Sequence, residues 1–260
     1  MEVEELVFRE LESTQTYAEE HLADFATAKL TAICTDAQTA GRGTRGRSWV
    51  AMPGASVLMT FHFVFPPPCA TDFVHANIAN STQVLAVTAA NVLQKATALP
   101  VGVKWPNDLL LNGGKIGGIL ASARASKGSD PCRVDCVLLG IGINVNTPAD
   151  ALAAIDRPVF PATSLVAEGA DPLDVPMLRS DIAAAFAEEL ATFFREGFAP
   201  FAGAYSALDA CVGRRVTVRG TGDEAQRGVY RGLNPDGHLL LETEEGTAAL
   251  LTGDVVFDED

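Results

Sequence analysis

Basic side chains are scarce in this sequence, and their scarcity argues against one large class of partners. The 260 residues contain 19 lysines and arginines against 33 aspartates and glutamates, which gives a formal net charge of −14. A protein with this charge repels the phosphate backbones of DNA and RNA, whereas non-specific nucleic-acid binding depends on attracting them. We therefore expect no nucleic-acid partner.

Long hydrophobic runs and paired cysteines are also lacking. The longest apolar stretch, residues 55–68, is interrupted by His62 and ends in three prolines, so it falls short of the roughly 20 residues that span a bilayer. The five cysteines form no CxxC pair, which argues against both a disulfide framework and a four-thiolate zinc site. The N-terminus has no secretory pattern. These features predict a cytoplasmic protein with reduced cysteines and no membrane partner.

The remaining composition is that of a globular protein, with 48% hydrophobic and 20% charged residues. Helices are predicted after the hydroxyl cap at Ser13, over residues 78–98 and 177–194, and again after Gly197. Strands are predicted over residues 7–11, 30–35, 56–65, 101–104, 109–111, 116–123 and 134–145.

The sequence changes character after Leu208. Short β segments separated by glycine-containing turns follow, and together they predict a small all-β module of about 50 residues. We predict two domains, 1–207 and 208–260. The predicted segments of the module are residues 215–219, 228–233, 238–241 and 248–251.

A polar, glycine-rich segment, residues 36–54, separates two predicted strands. It carries Arg42, Arg45 and Arg47, three arginines within six residues of a strongly acidic protein. Guanidinium groups match phosphate and carboxylate oxygens, and glycines let a backbone approach a ligand closely. We interpret the segment as an anion-binding loop that closes over a ligand; a solvated surface loop is the alternative.

Two further segments place reactive side chains at strand junctions. Lys104-Trp105-Pro106-Asn107-Asp108 combines a cation, an indole, a rigid turn, an amide and a carboxylate, which suggests a site; a Trp packed beneath an ordinary turn is the alternative. Lys115 begins the next strand and is followed by Gly117-Gly118. Glycine inside a strand often marks the close approach of another group.

The segment LGIGINVN at residues 139–146 is a strand that places Asn144 and Asn146 on one face. These amides either bind a nucleotide or satisfy neighbouring backbone groups. The GxG within it does not open a helix, and no acidic residue follows at the spacing of a dinucleotide-binding fingerprint.

In this order and spacing, the segments resemble the catalytic region of biotin protein ligases. The shared motifs are a Ser-Thr-Asn type opening, Q-x-x-G-R-G-R-x-G-R-x-W, K-W-P-N-D, K-x-x-G and G-I-G-x-N-V-N. The resemblance covers about residues 8–168, and residues 213–257 resemble the SH3-like C-terminal domain of that family. It implies an α+β fold, with a mixed-sheet catalytic domain similar to class II synthetases followed by a small SH3-like β-barrel.

The resemblance implies ATP-dependent activation of biotin to biotinyl-5'-AMP, with Mg²⁺, and transfer of the biotin to a lysine of a biotin carrier domain of a carboxylase. The implied catalytic residues are Lys115, Arg42 and Asp108, the last to orient or deprotonate the acceptor lysine. The implied biotin-binding residues are Ser13, Thr14, Gln15, Gln38, Gly41, Arg42, Lys115 and Gly118. The implied ATP-binding residues are Arg42, Arg45, Arg47, Trp49, Asn107, Lys115 and Asn144.

Two departures from the family pattern concern individual roles. Gln15 stands where the family usually has Asn, and Thr44 replaces an arginine of G-R-G-R that is associated with ordering the adenylate. The residues before Gln38 are too few for the N-terminal winged helix of bifunctional members, so we expect a ligase without the repressor function. No metal ligand is assigned, and a homodimer is compatible with the sequence.

Three alternatives remain. A lipoate ligase or octanoyl transferase of the same fold would be expected to show an R-R-x-x-G-G-G type loop and to lack K-W-P-N-D. A biotin-responsive repressor is disfavoured by the net charge of −14. A non-catalytic member that binds a small molecule is made conceivable by Thr44, although Lys115 and Arg42 argue against it.

Overall fold

A computed structural model describes residues 1–67, 69–125, 134–153, 155, 161–220 and 225–258. Its larger sheet has seven strands in the order β1-β2-β3-β7-β6-β5-β4. β1 runs parallel to β2, and the other neighbouring pairs are antiparallel, so the sheet is mixed, as predicted. The strands are β1 (Val3–Phe8), β2 (Leu30–Thr35), β3 (Ser56–Val64), β4 (Gly102–Lys104), β5 (Asp108–Leu111), β6 (Gly114–Ala125) and β7 (Val134–Asn144).

Helices cover both faces of this sheet. Ile33 and Leu138 pack with Ala18 of the first helix on one face, whereas Ala32 and Leu139 belong to the large core on the other face, because successive strand residues point to opposite sides. The third and fifth helices pack against each other on the large-core side. The helices are α1 (Thr14–Glu20), α2 (Thr71–Asn77), α3 (Asn80–Thr97), α4 (Ala149–Ala153), α5 (Val175–Glu196) and α6 (Ala202–Leu208).

The C-terminal segment forms a separate antiparallel sheet in the order β11-β10-β9-β8-β12. This confirms the predicted all-β module, but over the residues described the strand order is linear, so the sheet is open and does not close into a barrel. The turn at Asp236-Gly237 is anchored on α3, where Asn80 and Gln83 donate to its carbonyl oxygens at 2.9 and 2.8 Å. The strands are β8 (Arg215–Arg219), β9 (Ala225–Leu233), β10 (Leu239–Thr243), β11 (Gly246–Leu250) and β12 (Asp254–Phe257).

Most predicted elements are confirmed, and two strands have the predicted bounds, Leu30–Thr35 and Arg215–Arg219. The first strand was predicted wrongly at residues 7–11, since β1 begins at Val3. Its acidic, half-exposed sequence is stabilised by parallel pairing with β2, which begins more than twenty residues later. The helices α2 and α4 and the strand β12 were not predicted. The sequence Gly220-Thr221-Gly222 predicts a turn, of which residues 221 and 222 lie outside the described residues.

The cysteines that the structure describes do not form a disulfide framework. Cys34, Cys136 and Cys211 are buried, and desolvation raises the pKa of each thiol to about 12. Such thiols stay protonated and act as small packing groups. Cys132 lies outside the described residues. No helix in the described ranges is long and apolar enough to cross a membrane.

The packing of α5 on β3 gives a direct test of the core. Phe186 is fully buried, with its ring centroid 5.1 Å from that of Phe61 and 6.0 Å from that of Phe63. We expect Phe186→Ala to lower the free energy of unfolding by about 3–5 kcal/mol, since it leaves a cavity between helix and sheet. Chemical denaturation measures this loss. Met177→Ala on the same helix, at an exposed position, is the control and should change stability by less than about 0.5 kcal/mol; a loss below about 1 kcal/mol for Phe186→Ala would contradict the packing described.

Candidate active site

One face of the large sheet lacks side chains where β6 and β7 lie side by side. Gly118 pairs with Gly142, and Leu120 pairs with Gly140, so these residues share the face toward α1. A Cβ atom at Gly140 would lie 2.8 Å from the Gln15 amide oxygen, and one at Gly142 would lie 2.5 Å from the Trp49 indole. The glycines therefore leave a trough along β6 and β7. The side chains of Gln15 and Trp49 extend into it.

A polar network forms the inner end of this trough. Ser13 caps α1, and the Thr14 backbone N–H donates to the Gln38 amide oxygen at 2.8 Å. The Thr60 hydroxyl donates to the Thr14 hydroxyl at 2.8 Å, and Gln15 Nε2 donates to the Ser122 hydroxyl at 2.9 Å. Hydroxyl and amide groups of this kind suit a compact polar ligand with both donors and acceptors. Apolar residues of the sheet, Leu58, Met59, Ile119, Leu120 and Ile141, also line this pocket.

Three charged side chains contact one another beside this pocket, and one of them, Lys115, lines it. The Asp108 carboxylate accepts from Lys115 Nζ at 2.6 Å and from Lys104 Nζ at 3.0 Å. Lys104 is 1% exposed and Asp108 is 7% exposed. Burial acts to raise the pKa of Asp108, but the charges of Lys115 and then Lys104 outweigh it and hold this pKa below its usual value. Asp108 is therefore an anchored carboxylate that orients Lys115.

The segment 36–54, which we call the arginine-rich loop, crosses the trough and is held from both sides. Its start is anchored by the buried Arg179 of α5, which donates to the Thr35 carbonyl at 3.1 Å and to the Asp36 carboxylate at 2.8 Å. Arg42 forms an ion pair with Glu19 of α1 at 2.8 Å. Arg45 forms one with Asp254 of β12 at 3.3 Å, so the loop contacts the C-terminal sheet as well.

A second, wider cleft begins where the first pocket ends. Asn107, Lys115, Ile119 and Trp49 line both spaces, and Asn144 lines the wider one. The wall opposite Lys104 and Asp108 comes from Arg45, Arg47 and the segment 251–254 of the C-terminal sheet. A ligand in the narrow pocket would therefore meet a ligand in the wide cleft beside Lys115.

The structure brings most of the sequence-predicted site residues together and places some in other surroundings. Gly41 does not line either space; a side chain there would collide with the Trp49 carbonyl. Asn144 donates to the Thr163 carbonyl at 3.0 Å, and Asn146 donates to the Leu173 carbonyl at 2.8 Å. Both amides therefore satisfy backbone groups. Asn144 also lines the wider cleft, and its role in ATP binding stays a prediction.

Four contributors were missed by the sequence analysis: Glu19, Thr60, Ser122 and Asp254. Each lies inside or at the edge of an ordinary helix or strand, and none belongs to a motif identified in the sequence. The fold brings Glu19 and Asp254 to the arginines of the loop, and it brings Thr60 and Ser122 to the side chains of α1. In the portions of chain described, no group of three or more His, Cys, Asp or Glu side chains is placed to hold a metal ion.

The chemistry of the junction defines a class of protein. A lysine and several arginines stand where a narrow pocket for a small molecule meets a wider cleft, and cations in that position stabilise charge that develops when a carboxylate and a phosphate react. An apolar pocket with a polar inner end selects the acid. The fold and site together are those of a ligase that activates a small carboxylic acid.

Comparison with known proteins supplies the family. The Biotin/lipoate A/B protein ligase family matches residues 7–144, and the Biotin protein ligase C terminal domain matches residues 212–258. A biotin–acetyl-CoA-carboxylase ligase of Paracoccus denitrificans is 34% identical over 220 residues, which cover 85% of this chain and 87% of that one. The bifunctional ligase/repressor BirA of Bacillus subtilis is 30% identical over 245 residues, covering 94% and 71%. The chain belongs to the biotin protein ligases of this family.

A solved structure agrees over the whole length. The biotin protein ligase from Aquifex aeolicus in complex with biotin and ATP has a TM-score of 0.77 and 26% identity, and the match covers 99% of each chain. The predicted α+β fold, with its mixed sheet and its C-terminal β module, is thereby confirmed.

The contact between Gly142 and Trp49 predicts a measurable displacement. In Gly142→Ala the added methyl group would overlap the indole ring, so Trp49 must move out of the trough and carry the loop with it. We expect tryptophan emission to shift to longer wavelength and tryptic cleavage after Arg45 and Arg47 to become faster. Gly203→Ala in α6, where a Cβ meets nothing within 4 Å, is the control. Unchanged emission and cleavage in Gly142→Ala would contradict the described packing.

Proposed function

We propose that this biotin protein ligase forms biotinyl-5'-AMP from biotin and ATP in the two adjoining spaces, and then transfers the biotin to a lysine of a carrier domain. The observation that carries the proposal is the position of Lys115. Its ammonium group lies at the junction of the spaces, held 2.6 Å from the Asp108 carboxylate. A cation fixed there can contact both the carboxylate that attacks and the α-phosphate that is attacked.

The narrow pocket is proposed to hold biotin. Its fused ring carries a urea group with two donors and one acceptor, and the network of Thr14, Gln15 and Gln38 offers complementary groups. The apolar strand residues Leu58 and Ile141 suit the sulfur-containing ring and the aliphatic chain. The carboxylate would then point toward Lys115 and Arg42.

The wider cleft is proposed to hold ATP. Arg45 and Arg47 reach this cleft, and Trp49 offers an aromatic surface at its boundary with the narrow pocket. Asn107 lines the same boundary, although its amide also donates to the Ile119 carbonyl at 2.7 Å. Arginine forks match phosphate oxygens, which makes this loop the proposed phosphate-binding element.

In the first half-reaction, a biotin carboxylate oxygen attacks the α-phosphorus, and the bond to the bridging oxygen of pyrophosphate breaks. Negative charge grows on the bridging and pyrophosphate oxygens, and Lys115 and Arg42 are placed to stabilise it. Magnesium is proposed to enter as part of the Mg-ATP substrate, where it neutralises phosphate charge. The loop that crosses the trough would exclude water from the mixed anhydride.

In the second half-reaction, the neutral amine of the acceptor lysine attacks the biotinyl carbonyl carbon and AMP leaves. Asp108 is the proposed orienting residue. Because two lysine charges hold its pKa low, its carboxylate is a weak base. Orientation of the amine and of Lys115 is therefore the role we favour over deprotonation.

The acceptor is proposed to be the biotin carrier domain of a carboxylase, as the name of the Paracoccus relative suggests. Cytoplasmic location, the absence of a nucleic-acid partner and a possible homodimer remain predictions from the sequence. We also propose that residues 1–207 and 208–260 are the two domains.

Pyrophosphate release from Mg-ATP tests the first half-reaction. We expect release that depends on biotin and not on lipoate or octanoate, and a loss of about 100-fold or more in Lys115→Ala, because the charge between the two substrates is removed. Lys95→Ala, a lysine in the last turn of α3, controls for the loss of a positive charge. Release with lipoate alone would contradict the proposed substrate, and no release with any acid would contradict adenylation.

Asp108 variants test the second half-reaction. With added biotinyl-5'-AMP and carrier domain, we expect Asp108→Ala to slow transfer about 100-fold, since the acceptor amine and Lys115 lose their orienting carboxylate. Removal of a carboxylate from beside buried Lys104 should also destabilise the protein by about 3–5 kcal/mol. Asp108→Asn, which keeps the shape, separates the two effects when its folding is checked by circular dichroism. Wild-type transfer rates in folded Asp108→Ala with normal adenylate formation would refute the role.

A further inference from the structure

Glu19, near the end of α1, lies between two arginines from different parts of the chain. Its Oε2 atom is 2.8 Å from Arg42 NH1 on the loop, and its Oε1 atom is 3.3 Å from Arg124 NH2 on β6. The Ser122 hydroxyl donates to the same Oε1 atom at 3.3 Å. The Glu19 side chain is 21% exposed, so this carboxylate is partly withdrawn from water, and its partner Arg42 lines the narrow pocket.

The way Arg42 is held leaves part of its guanidinium group for a ligand. The hydrogen bonds recorded for this side chain in the described structure, to Glu19 and to the Thr16 hydroxyl at 3.4 Å, both use NH1. A guanidinium is a planar group with five N–H donors. Two acceptors at NH1 restrict the orientation of this plane, and therefore the directions of the remaining donors. Arg42 lines the narrow pocket in this position.

Glu19 is also connected to the inner end of the pocket. Gln15 Nε2 donates to the Ser122 hydroxyl at 2.9 Å, and that hydroxyl donates to Glu19. A hydrogen-bonded path therefore leads from the Gln15 amide, beneath the proposed ring site, through Ser122 and Glu19 to Arg42. The same carboxylate thus joins α1, β6 and the arginine-rich loop.

We propose that Glu19 is a positioning residue for adenylation: its carboxylate fixes one side of the Arg42 guanidinium and aims the remaining donors at the reacting carboxylate and α-phosphate. The inference rests on the proposed function. It adds a residue that contacts neither substrate and acts through Arg42. Without Glu19, an arginine on a glycine-rich loop would lose its fixed orientation before the substrates arrive.

A purely structural role would have a different consequence. Ion pairs as exposed as Arg42 with Glu19 contribute little to folding, usually below about 1 kcal/mol. Loss of the pair should therefore leave the thermal unfolding midpoint nearly unchanged and affect the rate of adenylation instead. This separates positioning from stabilisation.

The experiment is a double-mutant cycle on the full chain. Pyrophosphate release is measured at saturating biotin and Mg-ATP for wild type, Glu19→Gln, Arg42→Ala and the double variant, and biotin binding is measured by calorimetry without ATP. We expect Glu19→Gln to lower the adenylation rate about tenfold, to change the biotin Kd less than about threefold, and to have no further effect when Arg42 is already Ala. Glu20→Gln, the same charge change at the adjacent exposed position, should match wild type.

Three outcomes would overturn the inference. If Arg42→Ala is slow but Glu19→Gln matches wild type, Glu19 does not position Arg42. If Glu19→Gln slows the Arg42→Ala enzyme as much as it slows wild type, Glu19 acts by another route. If Glu19→Gln lowers the unfolding midpoint and biotin binding in parallel with the rate, its role is structural. Absence of biotin-dependent pyrophosphate release in wild type would instead count against the proposed function itself.

Discussion

The active site depends on side chains that are missing from one face of the sheet. Gly118, Gly140 and Gly142 lie on adjacent strands. A larger residue at these positions would occupy the space into which Lys115, Gln15 and Trp49, respectively, extend. The trough gives α1 a surface against which its capped N-terminus and Gln15 pack, and it gives the arginine-rich loop a place to cross the sheet. Pocket depth, loop position and the junction beside Lys115 all follow from these three absent side chains.

The electrostatic arrangement follows from the same geometry. An acidic protein concentrates cations at a single junction, and it holds most of them with a carboxylate from another element. Asp108 holds Lys104 and Lys115, Glu19 holds Arg42, and Asp254 holds Arg45. The exposed pairs add little to the free energy of folding. For the buried pairs, the cost of removing the charges from water offsets most of their attraction. Their effect is to fix the direction of each cation, which matters where charge develops during a reaction.

The sequence predicted those parts of the fold and site that leave a local pattern. Buried strands such as Leu30–Thr35 have continuous apolar runs, and the long helix Asn80–Thr97 has helical spacing. Glycines and arginines marked the loop. The strand β12 was missed because its pairing with β8 is non-local. Glu19 and Ser122 could not be distinguished from other polar residues, because they contact each other across 103 positions of the sequence. Family resemblance could not supply Glu19 either, because it lies outside the shared motifs.

The contact between the loop and the last strand has a consequence for biosynthesis. Arg45 and Asp254 are joined at 3.3 Å although 209 positions separate them (254 − 45). At a translation rate of about 5–20 residues per second, the loop would wait roughly 10–40 s on the ribosome before its partner exists. The seven strands of the first sheet are completed in the course of that interval, at residue 144, while one wall of the wide cleft is still absent. The nascent chain can therefore build the narrow pocket well before it can enclose the wide one.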